Sequence, residues 1–126
     1  RIGATEARAF ARHLPSSLTH LGFEANELGS AGVRALGRYL PSSLQNLDLS
    51  GNALGAEALA RHLPSSLRRL DLRGNELGDA ATQALAQDLP SCLQRLDLRY
   101  NQLEAVGAGA LGKLLKSPLQ DLHLSW

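Results

Sequence analysis

Leu44-Gln-Asn-Leu47-Asp-Leu49-Ser-Gly-Asn52-Ala-Leu54-Gly55 is the stretch from which the fold can be read. Its leucines at 47 and 49 alternate with polar residues. That period of two puts them on one face of a short strand. Asn52 then stands where the chain leaves the strand, and its amide can donate to and accept from backbone groups that the turn leaves unpaired. The same pattern returns at Leu18–Gly29, Leu67–Gly78 and Leu93–Leu103, and a fifth copy runs from Leu119 to Trp126. Four full copies in one register exclude coincidence. Stacking them would line Asn26, Asn52, Asn75 and Asn101 into a buried ladder, so these amides read as structural and not as catalytic.

Each copy leads into a helical stretch, such as Gly32–Leu40 and Ala81–Leu89. Leu36 and Leu40, like Leu85 and Leu89, are four apart and share a helix face. The Gly that follows Asn-x-Leu at positions 29, 55 and 78 can make a tight turn into the helix. Pro15, Pro41, Pro64 and Pro90 each follow the last helical Leu and stop the helix. A Ser-Ser or Ser-Cys pair then returns to the next strand. One strand, one helix and one return per unit give parallel strands on one side and helices on the other.

The asparagines lie 26, 23 and 26 residues apart. The opening residues fit the same frame, with Phe10 at the position of Leu36, Leu14 at Leu40 and Pro15 at Pro41. The chain therefore reads as one repeat domain over residues 1–126, about five unit lengths breaking near 26, 52, 75 and 101. The absence of polar caps, which solenoid ends normally need, leads to the expectation of a slice from a longer array. Missing flanks or neighbouring molecules are then expected to cover the ends, end-to-end self-association included. The short period follows from a three-residue deletion just after Gly55, which predicts a shortened helix and reduced curvature there.

The pattern L-x-x-L-x-L-x-x-N-x-L resembles the leucine-rich repeat. With a true helix after Asn-x-Leu-Gly, it is most similar to the ribonuclease-inhibitor-like class, over the whole chain. It departs from animal members in its tight Leu-Pro-Ser-Ser return and its period of 26. That form is similar to repeats of secreted bacterial effectors. The resemblance implies an α/β leucine-rich-repeat solenoid, a right-handed horseshoe segment with its strands concave and its helices convex. It further implies a non-catalytic protein-binding surface on the concave face, with no cofactor, and an intracellular setting or delivery into a host cytosol.

Composition agrees with a packed repeat. The 28 Leu and 18 Ala make up over a third of the 126 residues, against 4% aromatics. Leu fills the recurrent core positions and Ala the crowded helix faces. Thirteen Lys and Arg against 12 Asp and Glu give a net charge of +1, which argues against a nucleic-acid module held by phosphate contacts. One cysteine excludes an internal disulfide framework and a Cys-rich zinc site. No apolar run approaches the roughly 20 residues that span a bilayer, and the first residues lack the apolar core of a signal peptide.

The strand residues beside the inward leucines face outward and form columns across the units. The first holds His20, Asn46, Arg69, Arg95 and Asp121. The second holds Gly22, Asp48, Asp71, Asp97 and His123. The third holds Glu24, Ser50, Arg73, Arg99 and Ser125. Strands stacked about 4.8 Å apart would set an Asp row between two Arg rows. Those charges either neutralise one another or form a docking patch, to which Tyr100 and Trp126 add aromatic anchors. The candidate partner-binding residues are therefore His20, Asp48, Arg69, Asp71, Arg73, Arg95, Asp97, Arg99, Tyr100, His123 and Trp126.

Other motifs give way to the repeat. Gly107-Ala-Gly109-Ala-Leu-Gly112 matches the dinucleotide-binding G-x-G-x-x-G, but it lies in a helical half-unit, and the acidic ribose ligand would fall past the last residue. His13 and His62 share one unit position, where an imidazole suits a helix C-terminus. His20 and His123 fall on the outer strands, too far apart for one site. No Ser-His-Asp set comes together, and Cys92 has no charge cluster to activate it. The expected function is protein binding, with no catalytic, cofactor or metal site. The alternatives are a GTPase-activating module, which would need an exposed Arg or Asn to enter a GTPase site, and a purely structural spacer.

Overall fold

The computed structural model describes residues 1–54, 59, 61–112 and 118–125. Among these, four helices alternate with five strands: α1 (Ala4–Ala11), β1 (His20–Gly22), α2 (Gly29–Gly37), β2 (Asn46–Asp48), β3 (Arg69–Asp71), α3 (Asp79–Asp88), β4 (Arg95–Asp97), α4 (Ala105–Gly112) and β5 (Asp121–His123). The strands form one parallel sheet in chain order. The helices lie on its other side, α1 packed on α2 and α3 on α4. The result is the α/β solenoid expected from the repeat. No helix among the described residues is long and apolar enough to cross a membrane.

The register is the one the columns require. Leu21, Leu47, Leu70, Leu96 and Leu122 pair successively across the sheet. Leu49, Leu72 and Leu98 point into the same interior. They are fully buried together with Leu28, Leu36, Leu77 and Leu85 from the helical halves. One continuous core results. Each buried leucine contributes roughly 1.5–3 kcal/mol relative to exposure. The first unit puts Phe23 where the others have leucine, and Phe10 meets it edge-on with ring centroids 5.5 Å apart.

The asparagine ladder is continuous. Asn75 donates from Nδ2 to the carbonyls of Leu49 (2.9 Å), Leu72 (2.9 Å) and Arg73 (3.2 Å), and its Oδ1 accepts the Asn52 N–H at 2.7 Å. Asn52 and Asn101 repeat the donor pattern one unit to either side. All three are buried, whereas Asn26 at the first rung is half-buried. Every donor and acceptor of a buried amide is thereby used, which keeps burial from costing free energy.

Two local expectations need correction. The helices end before the Leu-Pro pair. α2 stops at Gly37, short of Leu40, and α3 stops at Asp88 with Leu89 already extended. A residue preceding proline avoids the α region, so the helix must close earlier. Pro-Ser-Ser-Leu then makes its own turn, with the N–H of Leu18, Leu44, Leu67 and Leu93 donating to Pro15, Pro41, Pro64 and Pro90 at 3.1 Å. Nor does the Gly after Asn-x-Leu always turn the chain. Gly29 is left-handed (φ +58°), but Gly78 is an extended N-cap. The left-handed residues that recur instead flank the Asn: Ala25, Gly51, Gly74 and Tyr100 before it, Ala53 and Glu76 after it. The shortened helix expected after Gly55 falls on residues 55–58 and 60, outside the described residues.

Candidate functional site

The sheet's outward face is built from the three columns. A strand alternates its side chains, so the leucines turn inward and their neighbours must turn out. Side chains and backbone of all five strands line one open groove of about 470 Å³. It takes in His20, Asp48, Arg69, Asp71, Arg95, Asp97 and His123 from the candidate set. His20 and His123 stand on β1 and β5, roughly 19 Å apart at ~4.8 Å per strand, so they share no site. A second concavity of about 330 Å³ adjoins the strand ends and holds Arg73 and Tyr100 with Glu24 and Ser50. Trp126 lies outside the described residues. Among the described residues no cluster of three His, Cys, Asp or Glu side chains is placed to hold a metal ion.

The Asp row is paired with one Arg row and not with both. Arg99 clasps Asp97 of its own strand, Nη2 to Oδ2 at 2.6 Å and Nε to Oδ1 at 2.9 Å. Arg73 clasps Asp71 in the same way at 2.7 Å and reaches across to Asp97 at 3.7 Å. Burial pushes the Asp97 carboxyl up, but the Arg99 hydrogen bonds outweigh it and hold the group below its usual range. The hydrogen bonds that Arg73 and Arg99 donate to Asp71 and Asp97 raise the pKa of both guanidinium groups in turn. In the first column Arg95 turns to Asp121 at 2.7 Å. Arg69 is exposed and has no acidic partner among the described residues. Most of the charge in this patch is therefore spent internally, and Arg69 is the cation left facing the groove.

Two roles escaped the sequence reading. Each column-two aspartate also accepts the N–H two residues on: Asp48 from Ser50 at 2.9 Å, Asp71 from Arg73 and Asp97 from Arg99 at 3.1 Å. This is the Asx turn, and the recurring Asp at that offset was its available signal. Ser43 and Ser66 donate across units to the carbonyls of Leu18 and Leu44, both at 2.6 Å. Cys92 stands at the equivalent place and is an exposed free thiol. Tyr100 is unusual in another way. It occupies a left-handed position (φ +59°) that two sister units fill with glycine, and it is 65% exposed. A bulky residue there is strained by roughly 1–2 kcal/mol.

Comparison with known proteins agrees with this architecture. Residues 41–60, 64–86 and 90–112, together more than half of the chain, match the family model for the leucine-rich repeat. A search of curated proteins finds no significant match. The solved C-terminal domain of tropomodulin from Caenorhabditis elegans superposes with a TM-score of 0.72, over 98% of this chain and 83% of that one. Its identity is 13%, so the likeness speaks for the fold alone. With the repeat pattern, the ladder and the family match in agreement, the chain belongs to the leucine-rich-repeat family.

Proposed function

We propose that the chain is a non-catalytic module that binds a partner protein on the concave sheet face. Leucine-rich repeats generally mediate protein–protein interaction, and this face has the form such contacts use. The observation that carries the reading is the groove itself. Side chains from five consecutive strands project into one concavity from a backbone pinned by the core and the Asn ladder. Such a surface loses little conformational entropy on binding. The exposed Tyr100 at its margin is held in a strained conformation, as residues at functional sites often are. Arg69 supplies a cation that has no acidic partner among the described residues.

A photo-crosslinking residue placed at Asn46, in the groove, tests this against one placed at Gln83, on the helical side. A partner taken up by the concave face links from position 46, and Arg69→Glu weakens that capture without moving the melting temperature. Tyr100→Gly relieves strain, so it raises stability while lowering affinity. Crosslinks that form from Gln83 and never from Asn46 would overturn the proposal.

A further inference from the structure

We infer that the return edge of the first three units is a second recognition surface, built to hold an acidic segment of a partner protein. Arg12, Arg38 and Arg61 occupy one unit position, immediately after the helical stretch. They therefore stack as a row along the edge of the solenoid. All three are exposed, and among the described residues none has an acidic partner. The strand-end arginines 73, 95 and 99 contrast with them, since each is clasped by an aspartate.

Neighbouring contacts bring the row together. The nearby Arg12 guanidinium holds the Tyr39 phenol of the next unit below its usual pKa, with smaller effects from Arg8 and Arg38. Gly37 at the end of α2 abuts His62 so closely that a Cβ there would lie 2.5 Å from the His62 Cβ. Gly37 and the His62 side chain thus bring the second and third units into direct contact. Helix C-termini favour a basic residue, which explains one arginine per unit. It does not explain why, among the described residues, the row lacks the counter-charges that Arg73, Arg95 and Arg99 have on the sheet face.

The row ends at the third unit. The next unit places Gln87 and Asp88 where the third places Arg61 and His62. Packed helices lie about 8–10 Å apart, so three arginines span roughly 20 Å. A longer polyanion, such as a nucleic-acid duplex or an anionic membrane, would run onto Asp88. A near-neutral chain also lacks the overall charge that such ligands reward. Carboxylates at every third residue of a polyproline II segment fall on one face about every 9 Å, at ~3.1 Å per residue. That spacing matches the row.

The inference is tested with the 126-residue chain and a fluorescent proline-rich peptide, in the polyproline II conformation, carrying three glutamates at every third position. A peptide of equal charge with its glutamates adjacent is the control. The spaced peptide is expected to bind at low salt, more tightly than the control. Replacing Arg12, Arg38 and Arg61 together by Gln, with native helix content checked by circular dichroism, weakens it by roughly tenfold to a hundredfold. Arg69→Gln on the sheet face leaves it unchanged. No binding, equal binding by the triple variant, or tighter binding of single-stranded RNA or phosphatidylserine vesicles by the same arginines would overturn the inference. Sheet-face function is untouched by any of these outcomes.

Discussion

Removing one rung of the asparagine ladder has a cost that can be worked out group by group. In Asn75→Ala the carbonyls of Leu49 and Leu72 keep a partner, the Nδ2 of Asn52 and of Asn101 respectively, at 3.1 and 2.7 Å. The Arg73 carbonyl keeps the N–H of Gly51 at 2.8 Å. The Asn52 N–H alone loses its acceptor, the Asn75 Oδ1 at 2.7 Å. An orphaned buried donor costs about 1–3 kcal/mol. The shed second bonds and the small void add about 1 kcal/mol more. The expected loss is therefore about 3 kcal/mol. At a urea m-value of about 2 kcal/mol per molar, the midpoint falls by about 1.5 M, read by circular dichroism at 222 nm. Asn26→Ala is the internal control. That rung is half-buried, and the Phe23 carbonyl retains Asn52 Nδ2 at 2.7 Å, so its cost is about 1 kcal/mol. Asn75→Asp separates the two halves of the amide. It keeps the acceptor for Asn52 but turns an anion toward three carbonyl oxygens, which raises the folded-state pKa of the new carboxyl. Its stability is greatest below the unfolded pKa of about 3.9 and falls as pH rises through the raised folded value. Equal costs at positions 26 and 75, or a flat pH response in Asn75→Asp, would refute the ladder reasoning.

Other outcomes follow from the same geometry. Gly109→Ala in α4 meets nothing within 4 Å and should stabilise by about 0.5–1 kcal/mol through helix propensity. In Gly107→Ala the new Cβ would lie 2.5 Å from Asp79 Oδ1, which holds the Glu104 N–H at 2.9 Å. That variant should lose about 1 kcal/mol despite the same propensity gain, and thermal melts of the two decide it. Cys92→Ser should gain the cross-unit bond that Ser43 and Ser66 make and stabilise by about 0.5–1 kcal/mol in urea. A neutral result would mean that the third return differs in shape. Because Asp97 titrates below its usual range, its pairing stabilises the chain above the unfolded pKa and is lost as pH falls through the folded value. Arg99→Gln should flatten that acid loss and cost no more than about 1 kcal/mol at neutral pH, as expected of a partly exposed pair.

The repeat register was legible before any coordinates because it is local and periodic. Alternation fixes which residues of each strand face inward. Identical unit patterns then force Asn46, Arg69 and Arg95 into one column, as the parallel pairing shows. The ladder followed from the chemistry of an amide at a strand end. The helix ends were misread because the leucine period continues to Leu40 and Leu89, while the constraint on the residue before proline acts on the backbone and leaves no mark on that period.

What only the tertiary structure decided is where charge is cancelled. Column order gave an Asp row between two Arg rows, but it carries no information on side-chain reach. The residue two positions after each aspartate lies on the same outward face at the strand end. Arg73 and Arg99 can therefore fold back onto carboxylates already fixed by their Asx turns. Arg69 starts from the other side of the row and finds no acid among the described residues. Arg12 and Arg38 were present in the sequence as ordinary surface residues. Their standing as an uncompensated row depends on how the helix ends abut, and helix packing is a property of neighbouring units and not of any one repeat.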